Sequence, residues 1–347
     1  MDKETRKMIK GYVKDCLNRG YHKDEIIDYI EKKGFDKEEI EEIVHLMYHK
    51  DNHQFFTNLL LLLVPFIILA LAHFIFDIVI PTTIFIIALA FALIVILAID
   101  RDGKRMLFLI LGSFFVAEIT LIKYNIEIGL ALYSVFLAFL ILSLTFRKFK
   151  PEVKEALFII SIIPLMRLLG ALLPLENLAF LPRTSGVYVI LLISAFIVFK
   201  HVNFKKISSK DYMGFLPLAI ILGIALGLIE FKILRPEPIF EYLNIYTILL
   251  GFGVMGLTGL AEEFIFRGLM QNHFLRIFKI IPTIFLTNLI FMLMHLIWLN
   301  YLELLFVFVV GSLCGIIYYR TKNLVLVAIL HGMVNFSLFV LSPILIR

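Results

Sequence analysis

Of the chain's 347 residues, 61% are hydrophobic and only 18% charged, and the mean hydropathy is +0.94. A water-soluble globular chain carries about a quarter charged residues and lacks apolar runs of spanning length, so that class is excluded. The formal charge of +5 does not indicate nucleic-acid binding, because the lysines and arginines sit in short loops between apolar runs, as membrane topology requires.

Residues 1–50 stand apart, densely charged and of mixed sign. No apolar core or cleavage pattern follows Met1, so no removable signal peptide is expected. The segment reads as a soluble three-helix module with a short internal repeat, Asn18–Ile26 (NRGYHKDEI) and Lys32–Ile40 (KKGFDKEEI). Gly20 and Gly34 suit the left-handed residue that closes a helix, and Asp36 with Glu39 three residues on suits the start of the next. The module is expected to be cytoplasmic, separable and free of catalytic residues. Cys16 and Cys314 are the two cysteines and lie far apart in sequence, so neither a disulfide framework nor a cysteine metal site is expected.

From Phe55 onward the apolar runs predict about eleven spans: 55–76, 79–99, 106–122, 127–146, 156–173, 187–199, 213–230, 244–275, 281–299, 302–319 and 323–341. The fold class is therefore all-α, a polytopic transmembrane helix bundle with a small N-terminal helical module. Residues 55–150 form additional transmembrane helices and residues 155–342 a transmembrane core. Most lysines and arginines of the connections fall at one end of these spans, near 101–105, 147–154, 200–210, 276–279 and 320–322. That end is expected to be cytoplasmic, with the N-terminus inside and the protein in the cell membrane.

Ionisable residues deep in lipid cost several kcal/mol and mark functional sites by default. The densest cluster is Gly259-Leu-Ala-Glu262-Glu263-Phe-Ile-Phe-Arg267-Gly268. Glu263 and Arg267 are i,i+4 neighbours and can pair, whereas Glu262 is rotated about 100° away and is left without a local cation. A polar knot holding helices together is the bland alternative. Two further points weigh against it, Phe291-Met-Leu-Met-His295 and His331-Gly-Met-Val-Asn335, the latter placing an imidazole and an amide one turn apart. At the rise of a helix, Glu262, His295 and Asn335 all come out roughly 18–21 Å from the inner ends of their spans, and His331 roughly 12 Å.

At these residues the chain resembles the CPBP family of membrane proteases (Abi, or CAAX-protease and bacteriocin-processing proteins), which includes the Ras-converting type of CAAX prenyl endopeptidase. The family's motifs, Glu-Glu-x-x-x-Arg, Phe-x-x-x-His and His-x-x-x-Asn/Asp, occur in order on separate helices as Glu262-Glu263-x-x-x-Arg267, Phe291-x-x-x-His295 and His331-x-x-x-Asn335. The likeness covers roughly residues 155–342. It implies an intramembrane endopeptidase acting on a peptide or lipidated protein C-terminus, with membrane lipid as its other partner. Glu262 would activate water and His295 hold it, His331 and Asn335 would stabilise the oxyanion, and Glu263 with Arg267 would support them. No cofactor is required on this reading, although zinc on Glu262, His295 and His331 is the alternative; no His-Glu-x-x-His occurs, and Asn335 is a poor zinc ligand. The competing functions are a transporter, disfavoured by the lack of internal similarity between the halves, and a catalytically idle scaffold.

Two expectations concern packing. Glu262, His295, His331 and Asn335 should line one mid-membrane cavity opening towards the cytoplasm. Glu118 and Arg167, the remaining full charges that the spans place near mid-membrane, should pair or, failing that, Arg167 should face the cavity and bind a substrate carboxylate.

Overall fold

The structure, a computed structural model, describes residues 2–18, 23–45, 47, 104–146, 149–173, 178–199 and 213–346. The spans expected at 55–76 and 79–99 lie outside the described residues. Among the described residues there is no strand, and six helices are long and apolar enough to cross a membrane: Ile126–Thr145, Phe180–Val198, Leu216–Leu234, Ile245–Phe274, Tyr301–Thr321 and Leu324–Leu345. Their outer surfaces carry exposed large apolar side chains such as Ile221, Leu249, Leu305 and Val309, the side chains lipid solvates best. The protein is an integral membrane protein.

Three helices form the N-terminal module: α1 (Lys3–Asn18), α2 (Lys23–Glu31) and α3 (37–45). Ile9, Val13 and Cys16 of α1 meet Ile26 and Ile30 of α2 and Ile40, Ile43 and Val44 of α3 in a small core of their own, at the three-to-four-residue spacing of one helical face. Gly34 is left-handed, with φ 90°, and the Asp36 carboxylate accepts the Glu39 N–H at 3.1 Å, so the helix stop and start of the second copy are both made, while Gly20 lies outside the described residues. Beyond α3, the Lys279 ammonium donates to the Met47 carbonyl at 3.0 Å, which ties the module to the bundle.

In the bundle, α4 (Lys104–Ile119) runs into a π-turn (Thr120–Tyr124), and α5 (Ile126–Phe146) returns antiparallel. The single span expected at 156–173 is two helices, α6 (Pro151–Ile160) and α7 (Ile162–Ala171). Pro164 explains the break: it has no N–H for the Ile160 carbonyl and its ring crowds that oxygen. The chain continues through α8 (Phe180–Phe199), α9 (Leu216–Leu234), α10 (Ile245–Glu263), α11 (Ile280–Met294), α12 (Tyr301–Thr321) and α13 (Leu324–Phe336). Helix α10 extends through a π-segment (Phe264–Gln271) to Phe274, the continuity that the depth argument requires. A π-turn also extends α13 from Ser337 to Leu341. Asparagine side chains start four of these helices, and Asn125 accepts from Ile128 N–H before α5. Asn244 accepts from Thr247 N–H, Asn300 from Leu302 N–H and Asn323 from Leu326 N–H.

Helix α13 lies between α9 and α10 and meets each at backbone distance at a glycine crossing. A Cβ on Gly223 would stand 2.5 Å from the Leu330 carbonyl oxygen, and one on Gly259 2.6 Å from the Gly332 nitrogen, so glycine is required at both crossings. Lipid supplies no hydrophobic drive between spans, and close backbone approach at small residues substitutes for it.

Candidate active site

Helix α10 carries both glutamates. Glu263 is fully buried and accepts from Arg267 Nη1 at 2.9 Å, the i,i+4 pair expected from the sequence. Arg267, also fully buried, donates through Nη2 to Asn288 Oδ1 of α11 at 3.1 Å and to the Gly311 carbonyl of α12 at 2.7 Å, and stacks 5.0 Å from the Phe291 ring centre. One turn on, Gln271 donates to the Gly315 carbonyl at 2.9 Å. Gly311 makes this possible, because a Cβ there would sit 2.7 Å from Asn288 Oδ1 and 3.2 Å from an Arg267 nitrogen. The arginine is thus the hub that fixes α10, α11 and α12 to one another.

His331 of α13 stands between the two glutamates. Its Nδ1–H donates to Glu263 Oε1 at 2.8 Å, and its Nε2 lies 3.2 Å from Glu262 Oε2. Glu262 Oε1 accepts a short hydrogen bond from the Tyr188 hydroxyl of α8. His295 is not inside its helix: α11 ends at Met294, His295 caps it with φ −94° and ψ 2°, and a 3-10 turn (Leu296–Trp298) follows. Its Nδ1–H donates to the Phe291 carbonyl at 3.0 Å, which leaves Nε2 as the acceptor nitrogen. Phe291 packs edge-on against both His295 and His331, with ring centres 4.7 and 5.7 Å away, so the phenylalanine of the second motif is the spacer between the imidazoles. Asn335 donates to Thr258 Oγ1 at 3.1 Å, and that hydroxyl in turn donates to the Met255 carbonyl at 2.8 Å.

A cavity of about 660 Å³ meets this cluster. Glu262, His295 and Asn335 line it together with Tyr188, Thr258, Glu230 and Arg167. His331 sits behind Glu262 and is not among the lining residues, which corrects one part of the expectation. The lining also gives the end of the bundle at which the cavity opens. The lining includes Ile126, Ala171, Arg183, Ile297 and Trp298, at the ends of α5, α7, α8 and α11 remote from Lys279 and Lys322. The mouth therefore lies at the end of the bundle opposite the basic connections and the N-terminal module. It is the course of the helices, and not the depth of the motif residues alone, that decides which end is open.

Arg167 and Glu118 pair as expected: Nε donates to Oε1 at 2.7 Å and Nη2 to Oε2 at 3.1 Å, and the Tyr133 hydroxyl donates to the same Oε1 at 2.7 Å. Arg167 also lines the cavity. Several polar residues of the site escaped the sequence. Tyr188, Thr258 and Asn288 carry no charge and sit singly in apolar helices. Glu230 and Glu303 are carboxylates near the ends of apolar runs, yet both are buried. Among the described residues no three His, Cys, Asp or Glu side chains converge in a group able to hold a metal ion. In the zinc alternative His295 and His331 would ligate through Nε2, since the Nδ1 of each is held, by the Phe291 carbonyl and by Glu263.

No curated protein and no solved structure matches the chain. Residues 244–337, the segment holding Glu262, Glu263, Arg267, His295, His331 and Asn335, match the model of the family described as type II CAAX prenyl endopeptidase Rce1-like, and the chain is similar to that family there, consistent with the CPBP or CAAX-protease group.

Proposed function

We propose that the protein is an intramembrane endopeptidase in which Glu262 activates water for attack on a peptide bond of a membrane-associated substrate. The observation that carries this reading is the state of the two adjacent glutamates. Glu263 is consumed by Arg267 and His331, whereas Glu262 faces the cavity with a tyrosine on one oxygen and an imidazole on the other. A carboxylate with no arginine or lysine beside it, in contact with a largely apolar cavity, is suited to take a proton from water. The water oxygen bonds to the scissile carbonyl carbon, its proton passes to Glu262, and the C–N bond breaks as that proton reaches the leaving amine. His331, held between two carboxylates, shares the proton meanwhile. This placement supports a proton-holding role for His331 in place of the oxyanion role that the resemblance implies. Asn335, on the cavity wall and steadied by Thr258, is the donor for the oxyanion, and the Nε2 lone pair of His295 orients the attacking water.

The substrate is a peptide tail on a membrane-anchored protein, a prenylated CAAX-like terminus being the first to test. No metal takes part. Purified protein is expected to cleave a prenylated CAAX peptide at an unchanged rate with a zinc chelator present; loss of turnover with chelator, restored by zinc, would overturn the metal-free mechanism.

The basic end of the bundle is cytoplasmic on this reading, so the cavity mouth faces the other side. Both native cysteines are buried, so a cysteine introduced at the exposed Ala171 can be read against a low background. A membrane-impermeant thiol reagent should label it in intact cells, and labelling only after the membrane is opened would reverse the orientation.

A further inference from the structure

Arg167 has a feature that the Glu262 chemistry does not use. Its Nε and Nη2 are committed to Glu118, a carboxylate that is 1% exposed and further fixed by Tyr133. No hydrogen bond among the described residues engages Nη1, and the side chain is 19% exposed on the wall of the cavity that holds Glu262. A guanidinium clamped along one edge and open along the other is a preorganised carboxylate receptor, because little side-chain freedom remains to be lost on binding. The other cavity residues restrict where an anion can settle. Glu262, on α10, repels it, whereas α7 and α8 carry Arg167 and, at the mouth, the exposed Arg183. Between them the lining is largely apolar, with Met166, Val187, Ile190 and Phe339, and its volume suits a short peptide tail.

We propose that Arg167 anchors the free α-carboxylate at the C-terminus of the substrate, so that the scissile bond is chosen by its distance from the chain end. This rests on the peptidase reading and adds to it a requirement for a free terminus and a short reach between Arg167 and Glu262. Glu118 then has two tasks, holding the guanidinium in place and keeping it compatible with a buried setting before substrate arrives.

The test uses the full chain and one prenylated CAAX peptide prepared as the free acid and as the C-terminal amide. Wild type should favour the acid in kcat/KM by at least ~10-fold, chiefly through KM, as loss of a charged hydrogen bond predicts. The ratio should collapse towards one in Arg167→Gln and be partly retained in Arg167→Lys. Because Arg167→Gln strands Glu118, the Glu118→Gln/Arg167→Gln double variant is assayed beside it and should also show a ratio near one. A ratio near one in wild type, or a retained preference in the folded double variant, overturns the anchor. Trp298 is the single tryptophan and lines the same cavity, so its fluorescence reports binding to Glu262→Gln without turnover. Tighter binding of acid than amide with no hydrolysis of either by wild type would sink the peptidase reading and keep the anchor. Hydrolysis with equal binding of the two would do the reverse.

Discussion

Glu263–Arg267 and Glu118–Arg167 are both short arginine–carboxylate pairs inside the bundle, at 2.9 and 2.7 Å, yet their surroundings differ. The first is sealed: both side chains are fully buried, and Asn288, Gly311 and His331 take up further donors and acceptors. The second is sealed on one side only, with Glu118 buried and Arg167 partly open to the cavity. One motif chemistry thus serves as a joint between helices in one place and as a cavity wall in the other. Coulomb attraction is similar in the two. What differs is how many donors the surroundings leave over.

Substitutions that strip a charge from each site separate these roles. The largest effect on activity is expected at the carboxylate outside both pairs. Glu262→Gln should lower turnover about 10²–10⁴-fold, the usual contribution of a general base, with the thermal melting point nearly unchanged; wild-type turnover in that variant would remove the assigned base. Next, Arg267→Ala or Glu263→Gln should destabilise the protein by about 3–5 kcal/mol, because each leaves a charge buried without its partner. The readout is the melting point and the yield of monodisperse protein, and normal stability would show that the joint is not structural. A smaller loss, about 1–3 kcal/mol, is expected for Glu118→Gln and for Arg167→Gln, since water in the cavity can solvate part of the guanidinium. Their double variant should recover much of that loss. Strict additivity of the two single effects would mean that the pair contributes nothing. Smallest of all, removing residues 1–50 should leave hydrolysis close to wild type, because the module has its own core and none of its described residues lines the cavity. A well-folded truncated protein without turnover would show that the module belongs to the active unit.

Charge was the legible part of this molecule. Lipid makes every ionisable residue conspicuous, so Glu262, Glu263, Arg267 and the Glu118–Arg167 pair could be picked out and even partnered by counting. The neutral partners could not. Tyr188 is one hydroxyl in the run Val187-Tyr-Val-Ile, and only the packing of α8 on α10 turns it towards Glu262. His295 was read as a residue within a span, but α11 stops one residue before it, and the ring hangs at a helix end with its Nε2 available. The proline at 164 announced a break that hydropathy averaging hid. Glu230 and Glu303 illustrate a third limit. Position near the end of an apolar run says little about burial when neighbouring helices run past that end, and both are covered.

The glycine crossings give the two sides of the cavity different scope for change. Helix α13, which bears His331 and Asn335, meets α9 and α10 at backbone distance at Gly223 and Gly259, and backbone atoms have no rotamers with which to absorb a substitution there. The opposite side, built from α5, α7 and α8, is lined by Leu130, Met166 and Val187, whose side chains can be exchanged for larger or smaller ones. New peptide preferences are therefore accessible by single substitutions on α5, α7 and α8, while Gly223, Gly259 and Gly332 hold the reacting groups in register. The cavity has one jaw that can be recut and one that cannot move.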